Sequence, residues 1–312
     1  MYLFKHLFSY YIKHILLTLR SLHVTKQQNM RKVFYIVCAA VLSLMSACID
    51  EDDDNCRTDY TVEIAVADKN YANISQYPQY PFEQEDQPFG HFQNTIYYAL
   101  TDKYTGKTVS QSLVTAVTGN DRTYKLVFHN LPLGEYNLTA WGNMTDGTLA
   151  GILHPQSTEH TDIYIGTIDF CNCNSSSASI ALQRTKGKLL IFCKNFPSYV
   201  TRMHQSVKGI YSQVDSLLNY QGSATIEKDS RPQEINALAV SPSITEKSTR
   251  LNLSFYSEGK SSALLTVPEI ELNIRRNELS AVSVDFDKDT DAWNIWVYSD
   301  KEWTLVHHLT IE

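Results

Sequence analysis

Enzyme signatures, a membrane-length apolar run and a surplus of basic residues are all missing from this 312-residue chain. There is no G-x-S-x-G elbow, no H-E-x-x-H, no P-loop and no G-x-G-x-x-G, so the common hydrolase, zincin and nucleotide-binding frameworks are excluded. Six of the 27 Lys and Arg residues, and none of the 34 acids, precede Cys48. The chain from Cys48 onward therefore has 21 bases against 34 acids, a net −13, which repels phosphate and excludes nucleic acid as a partner. Cysteines are few, six in all, and alanine is sparse beside 19 tyrosines and many Thr, Val and Ile residues. That balance favours strands over helices.

The longest apolar run, Val33 to Ala47, follows Arg31 and Lys32. At ~1.5 Å per helical residue it reaches about 22 Å, short of the ~30 Å hydrocarbon layer, so it reads as a signal peptide over 30–47 and not as a spanning helix. Leu44-Met45-Ser46-Ala47-Cys48 is a near match to the bacterial lipobox. Small residues before the cysteine enter the peptidase cleft, and the Cys48 thiolate is nucleophilic enough to accept the lipid. Several acyl chains on Cys48, at ~0.8 kcal/mol per buried methylene, give stable attachment to a membrane, so the chain is tethered and not spanning. Residues 1–29 precede that signal and read as a leader ahead of a true start at Met30. Ile49-Asp50-Glu51-Asp52-Asp53-Asp54 is too densely charged to pack and makes 48–58 a solvated tether.

Four cysteines remain for disulfides, Cys56, Cys171, Cys173 and Cys193, and four allow three pairings. A bridge from Cys56 to the Cys171/Cys173 pair is the expectation. Cys171-Asn172-Cys173 is too tight for a zinc knuckle, so no metal and no cofactor is expected.

Strand signals begin at Thr61–Ala67, which alternates polar and apolar residues. A Tyr/Pro/Gln-rich loop over 68–92 follows, and then strands at 95–101, 109–117, 124–128, 136–141, 163–170 and 179–183. The pattern restarts after Gly187 with 188–194, a helical turn at 199–207, and strands at 237–240, 250–256, 263–266, 270–275, 280–285, 294–298 and 303–311. The reading is all-β, two tandem β-sandwiches over 59–184 and 185–312, with roughly 265 residues from Cys48 on, enough for two cores.

Leu131-Pro132-Leu133-Gly134-Glu135-Tyr136-Asn137-Leu138-Thr139-Ala140-Trp141-Gly142-Asn143 is strand, turn, strand. Gly134 is expected to supply a positive φ, with Tyr136, Leu138 and Ala140 on one face. This L-P-x-G-x-Y-x-L-x-A-W-x-N run resembles the first domain of the FimB/Mfa2 family of fimbrial anchor lipoproteins. The lipobox, the acidic stretch ending in Cys56, and Leu182-Gln183-Arg184 leading into Lys188-Leu189-Leu190-Ile191 match it too. The resemblance implies two transthyretin-like sandwiches, a lipid anchor in the outer membrane of a Bacteroidales-type cell with the protein exposed on its surface, and a fimbrial shaft subunit as partner. It implies assembly by donor-strand exchange, in which a strand of one subunit completes the sheet of another. With Cys48 held by lipid, the strand from Thr61 should stay in its own sheet. The candidate exchange strand is the terminal one, with Trp303, Leu305, Val306, Leu309 and Ile311 as its apolar residues.

Other motifs have plainer readings. His154 and His160 near Asp162 read as solvated loop histidines, and His307 and His308 point to opposite faces of one strand. Asp285–Asp291 alternates carboxylates, but Thr290 stands where a calcium loop needs glycine, so an acidic hairpin is expected. Trp293 and Trp296 differ in parity, so one should be buried. The competing class is a glycan-binding surface lipoprotein whose exposed loop aromatics stack on sugars. A buried Trp141 would weigh against it.

Overall fold

The structure, a computed structural model, describes residues 58–310. Cys48, Cys56, the signal and the acidic tether lie outside the described residues, as does Ile311. The described chain is all-β.

One sheet is built from β1 (Thr58–Val66), β2 (Thr95–Asp102), β3 (Thr108–Gln111), β4 (Thr115–Ala116), β5 (Tyr124–Leu131), β6 (Glu135–Gly142), β7 (Tyr164–Cys171) and β8 (Ser177–Arg184). Its order is β3-β2-β6-β7-β8-β1-β5, with β4 beside β2. β7 and β8 are joined only through Tyr164↔Arg184 and Ile165↔Gln183. At that seam the sheet folds over, so that Leu100 and Leu138 on one side meet Val62, Ile64 and Leu182 on the other in a single core. Alternation along each strand produces this: in β1, Tyr60, Val62, Ile64 and Val66 are buried while Glu63 is exposed.

Eleven strands follow: β9 (Gly187–Lys194), β10 (Val200–Ile210), β11 (Gln213–Val214), β12 (Tyr220–Gln221), β13 (Ala224–Ser230), β14 (Ile235–Val240), β15 (Thr249–Ser257), β16 (Leu265–Leu272), β17 (Leu279–Asp287), β18 (Ala292–Ser299) and β19 (Glu302–Thr310). β13-β10-β15-β16 form one sheet and β14-β9-β17-β18-β19 another, with β11 and β12 paired apart. The two sheets share a core in which Val207, Leu253 and Phe255 meet Leu189, Ile191, Val284 and Trp293. Trp293 is fully buried, with its ring parallel to Phe255 at 6.1 Å and edge-on to Phe196 at 4.9 Å. Trp296, of opposite parity, is half-buried.

Several local expectations are corrected. Residues 199–207 form no helical turn; β10 runs through them, with Met203, Gln205 and Val207 buried in alternation. The two strands expected over 263–275 are the single β16, which tolerates Pro268 because it lies at a sheet edge. The strand expected over 109–117 is broken into β3 and β4. Missed entirely was β13, whose Glu227, Lys228 and Asp229 hide a strand signal because it too is an edge. Gly134 has no positive φ; the nearest one lies before the turn, at Asn130 near the end of β5, at 54°. A Cβ on Gly134 would instead press on the Tyr136 hydroxyl at 3.3 Å, where Tyr136 donates to the Pro132 carbonyl at 2.7 Å.

Candidate functional site

Strand β19 is tied to its sheet on one side only. It pairs antiparallel with β18 from Ala292↔Thr310 to Ser299↔Glu302, through a two-residue turn in which Asp300 and Lys301 both have positive φ, as a type I′ hairpin requires. A register shift at Ile295/Trp296 leaves Val306 as the extra residue on β19. Among the described residues, no strand flanks its other edge. Residues 302–306 are exposed on both faces, including Trp303 at 37%, Leu305 at 44% and Val306 at 40%, and only His307 and Leu309 are half-buried. Trp303 leans on Tyr298 at 5.2 Å and Phe192 at 6.1 Å. No proline and no Lys or Arg falls within β19, and of the usual guards of a free edge it carries only the Val306 bulge and Glu302 at its start. Thus Trp303, Leu305, Val306 and Leu309 of the candidate exchange strand come together on one open edge.

Strand β1 is the opposite case. It lies inside its sheet, parallel to β8 from Thr61↔Ser177 to Val66↔Leu182 and antiparallel to β5. Its Tyr60 ring stacks on Phe170 at 4.3 Å.

The cysteines do not follow expectation. Cys171 and Cys173 are bonded to each other across the β7–β8 turn, with Cα atoms 5.2 Å apart, so neither is left for Cys56. Cys193 is a buried free thiol whose pKa burial pushes up to about 12. The short ring presents the intervening Asn172 to the Pro132–Gly134 turn. Its amide donates to the carbonyls of Leu131 at 3.0 Å and Pro132 at 2.7 Å, and its oxygen accepts from Gly134 N at 2.9 Å. Sequence reading missed this clamp, although an Asn flanked by two cysteines in a turn was the available signal.

A polar junction also escaped the sequence. At the end of β8, buried Arg184 donates to Tyr71 Oη at 2.9 Å, Asp68 O at 3.1 Å, Asn277 Oδ1 at 3.2 Å and the Asp162 carboxylate, and its guanidinium lies 4.1 Å from the Tyr71 ring centre. Arg276 bonds Asp68 Oδ2 at 2.9 Å, and Asn73 exchanges two hydrogen bonds with the backbone of Leu279. Glu159 takes bonds from Lys228 at 2.6 Å and Ala239 N at 2.7 Å. Fully buried Lys186 donates to the carbonyls of Glu159 at 2.7 Å and Thr161 at 3.0 Å, and burial pulls its pKa down to about 7. These contacts bolt the first sandwich to the second.

His154 belongs to that junction and is not a solvated loop residue. It is 6% exposed, its Nδ1 donates to Thr158 O at 3.1 Å and its Nε2 accepts from Ser241 N at 3.1 Å. That is the neutral ring, and burial holds its pKa down at about 3. Trp141 is likewise buried, in a junction cluster with Tyr97, Leu153 and Val214. The acidic run ends β17 in a hairpin loop, where Asp287 accepts from Asp289 N at 2.9 Å.

No family model and no curated protein matches the chain. Among solved structures, it is similar to a fimbrial assembly protein from Parabacteroides distasonis, with 13% identity, 80% of this chain and 99% of that one covered, and a TM-score of 0.45. It is similar also to the fimbrial anchor protein Mfa2 from Porphyromonas gingivalis, with 10% identity, 80% and 100% covered, and a TM-score of 0.42.

Proposed function

We propose that this chain is a surface lipoprotein of the outer membrane that anchors or terminates a fimbrium. Its partner is a fimbrial shaft subunit, joined by strand exchange through β19. The single observation that carries the reading is the contrast between the two end strands. β1, next to the lipidated Cys48 in sequence, is locked by partners on both sides, whereas β19 has, among the described residues, one edge without a strand partner and Trp303, Leu305 and Val306 exposed. A subunit that can offer a strand but has no open groove to receive one ends a polymer. The lipobox and acidic tether supply the attachment, and the Leu131–Asn143 run supplies the family resemblance.

Two experiments test the two halves of the reading. Palmitate labelling should mark the wild-type protein and leave Cys48→Ala unlabelled; equal labelling would remove the anchor. Deleting Glu302–Glu312 should leave a folded, lipidated protein that no longer retains fimbriae on the cell. Fimbriae that stay attached at normal length would eliminate the exchange role of β19.

A further inference from the structure

The Tyr/Pro loop that the assembly reading leaves without a role forms one wall of a cavity of about 170 Å³ beside the junction. At ~30 Å³ per water this is room for about six waters, the scale of one sugar ring. Tyr71, Tyr80 and Phe92 face it as aromatic surfaces, and the amides of Asn70 and Asn143 on its lining are held by backbone hydrogen bonds. Its charges do not cancel. Among the lining residues, Arg184 is paired with Asp162, and His91 contacts Glu83 at 2.7 Å; with the imidazole counted as neutral, the lining carries three positive charges against two negative. Lys69 and Lys188 form no ion pair among the described residues, and Lys69 also donates to the Glu85 carbonyl. Lys188 Nζ lies 5.6 Å from the Tyr71 ring centre and 5.9 Å from that of Tyr80, and Lys69 Nζ lies 5.6 Å from Phe92, so each ammonium is held against an aromatic wall. Two unneutralised ammonium groups on one small cavity stand out in a chain whose net charge from Cys48 on is −13. One carboxylate oxygen of Asp162, Oδ1, is buried and takes no hydrogen bond among the described residues.

We infer that this cavity binds a hexuronate, a single sugar ring carrying one carboxylate. The carboxylate would sit toward Lys69 and Lys188, and the apolar ring face against Tyr80 or Phe92. Neutral hexoses would leave the two ammonium groups unanswered, and a small anion without a ring would leave the aromatic walls uncovered. The site is independent of β19, which belongs to the far edge of the second sandwich's sheet.

Isothermal titration of the full-length protein in detergent micelles, with glucuronate, glucose, acetate and N-acetylneuraminate as probes, tests the assignment. Glucuronate should bind at one site per chain, at least about tenfold more tightly than glucose or acetate. Its affinity should fall as salt rises from roughly 20 to 300 mM, since the two half-buried ammonium groups are partly screened over that range. Lys188→Gln should weaken it about fivefold or more while Lys188→Arg keeps most of it, with unchanged circular dichroism in both. Glucose binding as well as glucuronate, acetate binding as well as either, or no saturable heat with glucuronate would overturn the proposal. Tighter binding of the larger N-acetylneuraminate would overturn the hexuronate assignment, and a salt-independent affinity would overturn it without recourse to any variant.

Discussion

His154 shows how much a single side chain's role depends on what covers it. In the unfolded chain it titrates near the ordinary value of 6.5, while in the fold burial holds it near 3. As pH falls below 6.5 the unfolded state takes up a proton that the folded state refuses until about pH 3. The stabilising contribution is therefore complete above 6.5 and is lost progressively down to about 3, by up to roughly 1.4 kcal/mol per pH unit. His154→Asn should flatten the acid limb of the stability profile. Urea unfolding of both proteins between about pH 7.5 and 4 checks this, and parallel profiles would show that His154 does not drive acid sensitivity. Nothing local to Leu153-His154-Pro155 announces the burial, because the partner Ser241 lies 87 residues away. Asn172 is a milder case: the flanking cysteines hint at a constrained turn, but the acceptors on Leu131 and Pro132 come from another hairpin.

At the scale of the strand, exposure separates structural from presentable elements. Ile64 of β1 is fully buried, and Ile64→Ala should cost about 2 to 5 kcal/mol through lost contacts and the residual cavity. Val306 of β19 is 40% exposed and sits at a bulge, so Val306→Ala should cost less than about 0.5 kcal/mol. Denaturant midpoints at constant slope measure both. A Val306 cost rivalling that of Ile64 would make β19 part of its own core, not an edge for another chain. Period-two alternation made β1, β6 and β17 legible, because each apolar residue points into the core that the same strand helps form. β13 was illegible because an edge strand needs no apolar face on its outer side, and β10 because its buried set includes Gln205, whose amide finds Ser230 at 2.9 Å.

In the molecule as a whole, the junction decides whether the two sandwiches behave as one body. Glu159 accepts from Lys228 and from Ala239 N across it, and Asp68 accepts from Arg276 across it and, at 2.8 Å, from Arg184 N on its own side. Removing both in Glu159→Ala/Asp68→Ala strands two buried backbone donors, Ala239 N and Arg184 N, at about 1 to 3 kcal/mol each, and releases the partly exposed Lys228 and Arg276. Differential scanning calorimetry should then resolve two transitions where the wild type shows one, with the β-sheet signal at room temperature unchanged. A single sharp peak in the double variant would show that the apolar cluster of Trp141, Leu153 and Val214 couples the halves by itself. The sequence alone determined the all-β class and most strand positions, because side-chain alternation is a local property of an extended backbone. Only the tertiary structure decided that Cys171 closes on Cys173, that His154 and Lys186 are buried, that Arg184 binds Asp68, Tyr71 and Asp162 together, and that β19 ends on an open edge. Each of these depends on which distant strands and loops become neighbours, and that is settled by packing of the whole chain, not by the residues on either side.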